Sequence, residues 1–254
     1  MHFPVVWQLG PVILSAHFVF ELLAYSLGFQ LYRRLQQQSP SLRMSSEQKL
    51  MLLLGCVLGA IALAKGLGWL QTPFILSPEG ERIWLPPGKT IVGGLLGGWL
   101  GLELSKRWLG IRGSTGDVYV WPLSLGLALG RVGCFLTGLA DNTYGLPTHL
   151  PWGIDFGDGL LRHPTQLYEM LWVLLLAPLV LWLSRHSAPG TAFRYWLAGY
   201  LLWRLAAESL KPVPLLYGGL SAIHWASLLG CAIALYSAWQ LKRALQPVAS
   251  ATDL

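Results

Sequence analysis

Charge is what this sequence has least of. Only 12% of its 254 residues are charged, against roughly 25% in ordinary soluble domains, and 54% are hydrophobic. A soluble chain of this size does not hold enough polar side chains to cover so apolar a surface. A soluble fold is therefore excluded and membrane residence is predicted. Cysteine is also scarce. Cys56, Cys134 and Cys231 are the only three, each inside an apolar run. They lack metal-ligand spacing and form no disulfide framework, so no metal and no cofactor is expected, and Cys56 and Cys231 read as small packing residues. Internal repeats and low-complexity tracts are missing, and no soluble domain fits between the apolar runs. The first run has neither a basic n-region nor an obvious small-residue cleavage site, so it is expected to remain as a helix rather than be removed as a signal peptide.

What the chain does have is apolar runs, at about 11–32, 48–70, 90–105, 117–139, 164–184, 192–209 and 219–241. Most approach the ~20 residues needed to cross a hydrocarbon core. The third and sixth are shorter and carry ionisable residues. The fold expected is an all-α integral membrane protein, one polytopic domain over 1–254 with about seven transmembrane helices. Trp is abundant, 13 residues, many near the run ends where an interfacial aromatic belt sits. The net charge of +6 does not point to nucleic acid, because the basic residues lie in short connectors. Arg33, Arg34, Arg43, Lys49, Lys106, Arg107, Arg112, Arg185, Arg194, Lys242 and Arg243 fall in one set of connectors; Arg82, Lys89, Arg162 and Lys211 fall in the other. By the positive-inside rule the N-terminus is outside and the C-terminus cytoplasmic.

Lys65, Arg131 and Arg204 lie inside the runs. An Arg, Lys or Asp at the centre of a membrane helix costs about 2.5–3.5 kcal/mol on insertion scales, and such residues mark a polar cavity or a paired structural network. The full set of candidates is His17, Glu21, Lys65, Glu103, Arg131, Glu169, Arg204, Glu208 and His224. At ~1.5 Å of rise per residue, Arg131 lies about 10 Å below the outer end of its run, with Lys65 and Arg204 within about 8 Å of that face. Glu169 enters from outside to a similar depth, and Glu208 sits at the outer edge. Glu103 belongs to the inner end, four residues before Arg107, the spacing of an ordinary surface ion pair. Most of the unusual charge therefore shares the outer half of the bilayer, whereas a proton pump would string carboxylates through it. A retinal pigment is disfavoured because the seventh run has no Lys before Lys242.

Spacing adds detail. Tyr200, Arg204 and Glu208 share one helix face, as do His17, Glu21 and Tyr25. Each stripe reads either as a structural hydrogen-bonded set or as part of a site. Arginine presents a planar fork that suits phosphate, so Arg131 and Arg204 at one depth are placed to clamp a phospholipid headgroup. The run Gly93-Gly94-Leu95-Leu96-Gly97-Gly98 lets a helix or a lipid approach the backbone closely.

Two segments go further. Gly130-Arg131-Val132-Gly133-Cys134-Phe135-Leu136-Thr137-Gly138 resembles the Gly-Arg-x-Gly-Asn-Phe-x-Asn-Gly signature of prolipoprotein diacylglyceryl transferases. Arg162-His163-Pro164-Thr165-Gln166-Leu167-Tyr168-Glu169 is similar to that family's Arg-His-Pro-Ser-Gln-Leu-Tyr-Glu, nearly residue for residue. Weaker agreement covers most of the chain. Tyr200, Arg204 and Glu208 match the spacing of the family's Tyr, Arg and Glu on its penultimate helix. Leu146–Gly153 resembles the segment between the two main motifs, and Lys65 lies near a family Arg.

The resemblance implies an enzyme of the bacterial plasma (inner) membrane with its active site toward the outer leaflet. It would move the diacylglyceryl group of phosphatidylglycerol onto the lipobox cysteine of prolipoprotein signal peptides, the first step of lipoprotein lipidation, releasing glycerol phosphate. On this reading Arg131 and Arg204 neutralise the departing phosphate. The phospholipid would be held by Arg131, Arg204, Lys65, Gly93, Gly94, Gln166, Tyr168, Glu169, Tyr200 and Glu208, and His163 is structural. A base must take the thiol proton, and here the sequence departs from the family. Val92 stands where the family's His-Gly-Gly-Leu motif has His, Cys134 replaces the signature Asn, and Leu139 replaces a Glu that Asp141 is placed to stand in for. Either His17, Glu21 or Asp141 serves as base, with His17 oriented by Glu21 the favoured choice, or the chain binds phosphatidylglycerol and uses another acceptor or performs no transfer. The connector 140–163 carries Gly145, Gly153, Gly157 and Gly159, which suit a moving lid or a merely flexible loop.

Overall fold

The computed structural model describes residues 2–38, 44–76, 82–84 and 88–244; Arg43 lies outside the described residues. In chain order the elements are β1 (Val6–Leu9), β2 (Val12–Ser15), α1 (Ala16–Gln38), α2 (Ser46–Gln71), β3 (Phe74–Leu76), β4 (Arg82–Trp84), α3 (Ile91–Trp108), α4 (Val120–Thr137), β5 (Ile154–Asp155), β6 (Leu161–Arg162), α5 (Thr165–Leu183), α6 (Thr191–Glu208) and α7 (Ala222–Ala244). Single 3-10 turns, Asp117–Tyr119 and Gly138–Asp141, flank α4. The strands form three separate antiparallel hairpins, β1-β2, β3-β4 and β5-β6.

Helices α2 to α7 begin and end within three residues of the predicted runs. The first run differs. Its opening residues pair in the β1-β2 hairpin, Val6 opposite Ser15, and the helix starts only at Ala16. The cause is local: Gly10, at φ +62°, and Pro11 make a turn, and the β-branched Val12 and Ile13 follow it. The Ser15 hydroxyl then accepts from the Phe18 amide at 3.2 Å and caps α1. Among the described residues four helices are long and apolar enough to cross a membrane: α2, α4 with its flanking turns, α5 and α7. In the other three, charge interrupts the apolar surface, with His17, Glu21, Arg33 and Arg34 in α1, Glu103, Lys106 and Arg107 in α3, and Arg194, Arg204 and Glu208 in α6.

The chain divides into two compact units. The first comprises Met1–Ser41, Thr115–Pro212 and Ala234–Leu254; the second comprises Leu42–Ser114 and Val213–Ile233. In the first unit α4 packs against α1 and α5, and α5 against α6. Gly133 sets the α1–α4 approach, since a Cβ there would stand 3.0 Å from Phe20 Cβ and 3.3 Å from His17 Cα. The fully buried Trp196 donates its indole N–H to Ser124 Oγ at 2.8 Å and stacks on Tyr200. Trp172 of α5 donates to the Gly199 carbonyl of α6 at 3.2 Å. Asp117 receives the Gly190 and Phe193 amides at 2.5 and 2.9 Å, capping the N-terminal end of α6 from the start of α4. These contacts fix the rotation of α6 and so the direction of its polar face.

In the second unit α2 and α3 lie backbone against backbone. A Cβ added at Gly59, Gly93, Gly97 or Gly101 would collide with a carbonyl of the facing helix. This is the small-residue packing that membrane helices favour. Ser45 and Gln48 form a capping box at the start of α2. The Gln71 amide oxygen accepts from the Ile223 backbone at 3.1 Å, joining the end of α2 to the start of α7.

Candidate active site

The first unit gathers four of the charges in the apolar runs, Arg131, Glu169, Arg204 and Glu208, into one buried network on α4, α5 and α6. Glu169 is its centre. One carboxylate oxygen accepts from Arg131 Nη2 at 2.9 Å and from the Tyr200 hydroxyl at 2.7 Å. The other accepts from Arg204 Nη1 at 3.2 Å. Arg204 Nη2 donates in turn to Glu208 at 2.7 Å. Glu169, Glu208 and Tyr200 are at most 1% exposed, and the two arginines 5%. Tyr200, Arg204 and Glu208 do share one face of α6, but Tyr200 turns to Glu169 and Arg204 bridges both carboxylates. With two positive and two negative charges the set is balanced, which is what allows it to be buried. Removing one partner of such a pair costs about 3–5 kcal/mol.

The network also holds hydrogen-bonding capacity in reserve. Among the described residues the Nε atoms of Arg131 and Arg204 and both amide atoms of Gln166 have no hydrogen-bond partner. Gln166 is 1% exposed, one turn before Glu169 on α5. A buried polar group left unpaired costs about 1–3 kcal/mol. The arrangement is suited to a polar ligand bearing acceptor oxygens, such as a phosphate.

A second cluster adjoins it. Arg131 Nη1 lies 3.8 Å from Cys134 Sγ on the next turn of α4. Cys134 Sγ, a ring nitrogen of His17 and a carboxylate oxygen of Asp141 lie within 4.8 Å of one another. His17 Nδ1 is 3.5 Å from Asp141 Oδ1, and His17 Nε2 is 4.0 Å from Glu21. The spacing of His17 and Glu21 made that pair legible; the closer partner, Asp141, arrives through the 3-10 turn after α4. The Thr143 hydroxyl donates to Asp141 at 2.6 Å, and the Thr165 hydroxyl to the Thr143 carbonyl at 2.6 Å, tying the cluster to the start of α5. Glu21 also accepts from the Tyr25 hydroxyl at 3.2 Å.

The remaining predicted residues are distributed more widely. Tyr168 accepts from the Trp152 indole at 2.7 Å and lies 3.3 Å from His163 Nδ1, so this pair braces the connector against α5. Lys65, Gly93 and Gly94 belong to the second unit. Lys65 is exposed on α2, Gly93 faces the Leu63 backbone, and Gly94 meets only Ala64 Cβ at 4.0 Å. Glu103 pairs with Lys106 at 3.0 Å. His224 bonds Ser221 at 2.9 Å.

Lys211 was counted in the sequence only as a connector charge. In the structure it is half-buried after α6, and burial, together with the like charges of Arg204 and Arg131, pushes its ammonium down to about 7. Its only sequence signal was its position three residues beyond Glu208. In the 140–163 connector, Asp158 is held below the usual carboxylate range by its hydrogen bond from Arg162.

A model of the prolipoprotein diacylglyceryl transferase family matches residues 4–240. Among its relatives, the phosphatidylglycerol–prolipoprotein diacylglyceryl transferase of Bordetella avium (strain 197N) is 33% identical over 243 residues, covering 89% of each chain. The protein of that name in Parasynechococcus marenigrum (strain WH8102) is 30% identical over 281 residues, covering 98% of each chain. That of Synechococcus elongatus is 30% identical over 268 residues, covering 96% of this chain and 90% of its own. The match includes every residue of the network and of the His17 cluster. Together with four helices of spanning length, it makes the chain a membrane protein. The chain belongs to the prolipoprotein diacylglyceryl transferase family.

Proposed function

We propose that this protein transfers the diacylglyceryl group of phosphatidylglycerol to the lipobox cysteine thiol of prolipoproteins. It would work in the bacterial plasma (inner) membrane as one polytopic domain, with all seven helices as spans, the N-terminus outside and the site toward the outer leaflet. Family membership supports the reaction, and the excess of Lys and Arg in alternate connectors supports the orientation. The observation that carries the site is the buried Arg131–Glu169–Arg204 network with its unused donors.

The acceptor sulfur, as thiolate, attacks the glycerol carbon that carries the phosphate. An S–C bond forms, the C–O bond breaks, and its electron pair goes to the phosphate oxygen that leaves with glycerol phosphate. Negative charge therefore grows on the phosphate, and fixed guanidinium charge in a poorly hydrated site stabilises it far more than water does. Glu169 holds Arg131 and Arg204 in place beforehand, so little reorganisation is needed. Gln166 adds a donor for a phosphate oxygen, and Tyr200 and Glu208 fix Glu169 and Arg204. Tyr168 is assigned to the lipid, while helix contact already accounts for the absent side chain of Gly93.

The thiol proton requires an acceptor, and Val92, buried at 1% exposure, has none to offer. We assign that role to His17 Nδ1, with Glu21 and Asp141 orienting and balancing the ring. The test is the initial rate of transfer of labelled diacylglyceryl from phosphatidylglycerol to a lipobox peptide. Wild type is expected to transfer, and His17→Gln to lose about 10²–10⁴-fold. Full activity in His17→Gln would remove His17 from the mechanism; a wild type that binds phosphatidylglycerol and transfers nothing would overturn the function.

A further inference from the structure

We propose that His17, Cys134 and Asp141 form a three-ligand site for a borderline-soft divalent cation of the zinc class. The three donors come from different places, α1, α4 and the 3-10 turn after α4, so their 4.8 Å proximity is produced by the fold rather than by sequence spacing. The mix of one imidazole, one sulfur and one carboxylate suits zinc, and three protein ligands leave a fourth position open. Drawing the donors onto an ion at ~2.0–2.3 Å requires side-chain shifts of roughly 1 Å.

Three further observations point to a ligand. His17 Nδ1 is buried and has no hydrogen-bond partner among the described residues, although an electron-rich carboxylate oxygen lies 3.5 Å away. Those two atoms repel unless a proton or a cation sits between them. The outer groups are those of a metal site as well. Glu21 faces the opposite ring nitrogen of His17, and the Thr143 hydroxyl holds the other oxygen of Asp141. Charge also balances: a cysteine thiolate and a carboxylate neutralise a divalent ion. Arg131, whose Nη1 lies 3.8 Å from Cys134 Sγ, is itself paired with Glu169.

The site rests on the transferase reading in one respect, which gives it a consequence. A cation on His17 Nδ1 and a proton taken up by that atom exclude each other, so the loaded protein is inhibited. Metal availability would then set the transfer rate.

The experiment uses the full chain in detergent, stripped with a chelator and titrated with Co²⁺. Wild type and the Cys56→Ser/Cys231→Ser variant are expected to bind one ion with a sulfur-to-cobalt charge-transfer band. Cys134→Ser should lose the band, Asp141→Asn should weaken binding more than Glu21→Gln, and Glu21→Gln should weaken it about 10–100-fold, with helix content unchanged in each. No band in wild type, or a band that persists in Cys134→Ser, overturns the site. Zinc should also lower wild-type transfer, and transfer indifferent to saturating zinc overturns the inhibition. A protein that transfers lipid without binding cobalt loses only the metal site. One that binds cobalt without transferring loses only the transferase reading.

Discussion

The two units hold their helices together by opposite means. Between α2 and α3 the contact is mostly dispersion and close approach: glycines let the backbones touch, and the Thr90 amide at the start of α3 donates to the Ala64 carbonyl of α2 at 3.2 Å. Between α4, α5 and α6 the contact is made by Glu169, two arginines, Tyr200 and Glu208, none of them exposed above 5%. A glycine seam is complete in itself, because every surface it buries meets another surface. Among the described residues both units bury unpaired polar atoms, Trp99 Nε1 and Ser227 Oγ in the second; particular to the first is that Arg131 Nε, Arg204 Nε and the Gln166 amide gather at one charged network. The difference teaches where to look for function: in hydrogen-bonding capacity that the fold has buried and not used.

The comparison can be broken most forcefully at the network. Arg204→Gln is expected to lose about 10²–10³-fold in transfer, the scale of one lost electrostatic donor, while Gly97→Ala leaves the chemistry of the first unit intact. Gly97→Ala should act on stability instead. Its Cβ collides with the Gly59 carbonyl, and overpacking of this kind costs about 1–3 kcal/mol, read as a lower unfolding temperature in detergent. Gln166→Leu should separate the two properties. Removing an unpaired buried amide is expected to keep or raise stability by about 1 kcal/mol while transfer falls about tenfold. If Gln166→Leu lowers both together, the amide is structural and the comparison fails there.

The smallest effect is one of pH. The folded Lys211 titrates near 7, below its ordinary value of 10.5. Between those values the unfolded chain binds the extra proton, so folding stability rises with pH across that window. The burial penalty is fully present below about pH 7 and fades as pH rises toward 10.5. Lys211→Met should therefore raise the unfolding temperature most at pH 6, and the gain should shrink by pH 9. A gain independent of pH would mean that Lys211 is not the titrating group.

Much of the site was legible because charge in an apolar run has few innocent explanations. Arg131, Glu169, Arg204 and Glu208 stood out on that ground alone, and the four-residue spacing put Tyr200 on their face. What no spacing could supply was the crossing of helices. That Tyr200 reaches Glu169, 31 residues away, depends on the rotation of α6, which Asp117 fixes from 73 residues upstream. Cys134 showed no more than the replacement of the signature Asn, because its neighbours are His17 on another helix and Asp141 beyond a turn. The helices were legible to within a few residues wherever apolar length decided them. The β1-β2 hairpin was not, because hydrophobicity cannot distinguish a strand from the start of a helix and Gly10 at positive φ makes that decision.

The central claim is that Arg131 and Arg204 stabilise a departing glycerol phosphate. Its most direct measurement is the release of glycerol phosphate from phosphatidylglycerol, with and without a lipobox peptide, by wild type and by Arg131→Ala. The account expects release that depends on the peptide thiol, matches the lipidated peptide mole for mole, and disappears in Arg131→Ala while the lipid is still bound. Release that continues undiminished in Arg131→Ala, or that ignores the thiol, would contradict it.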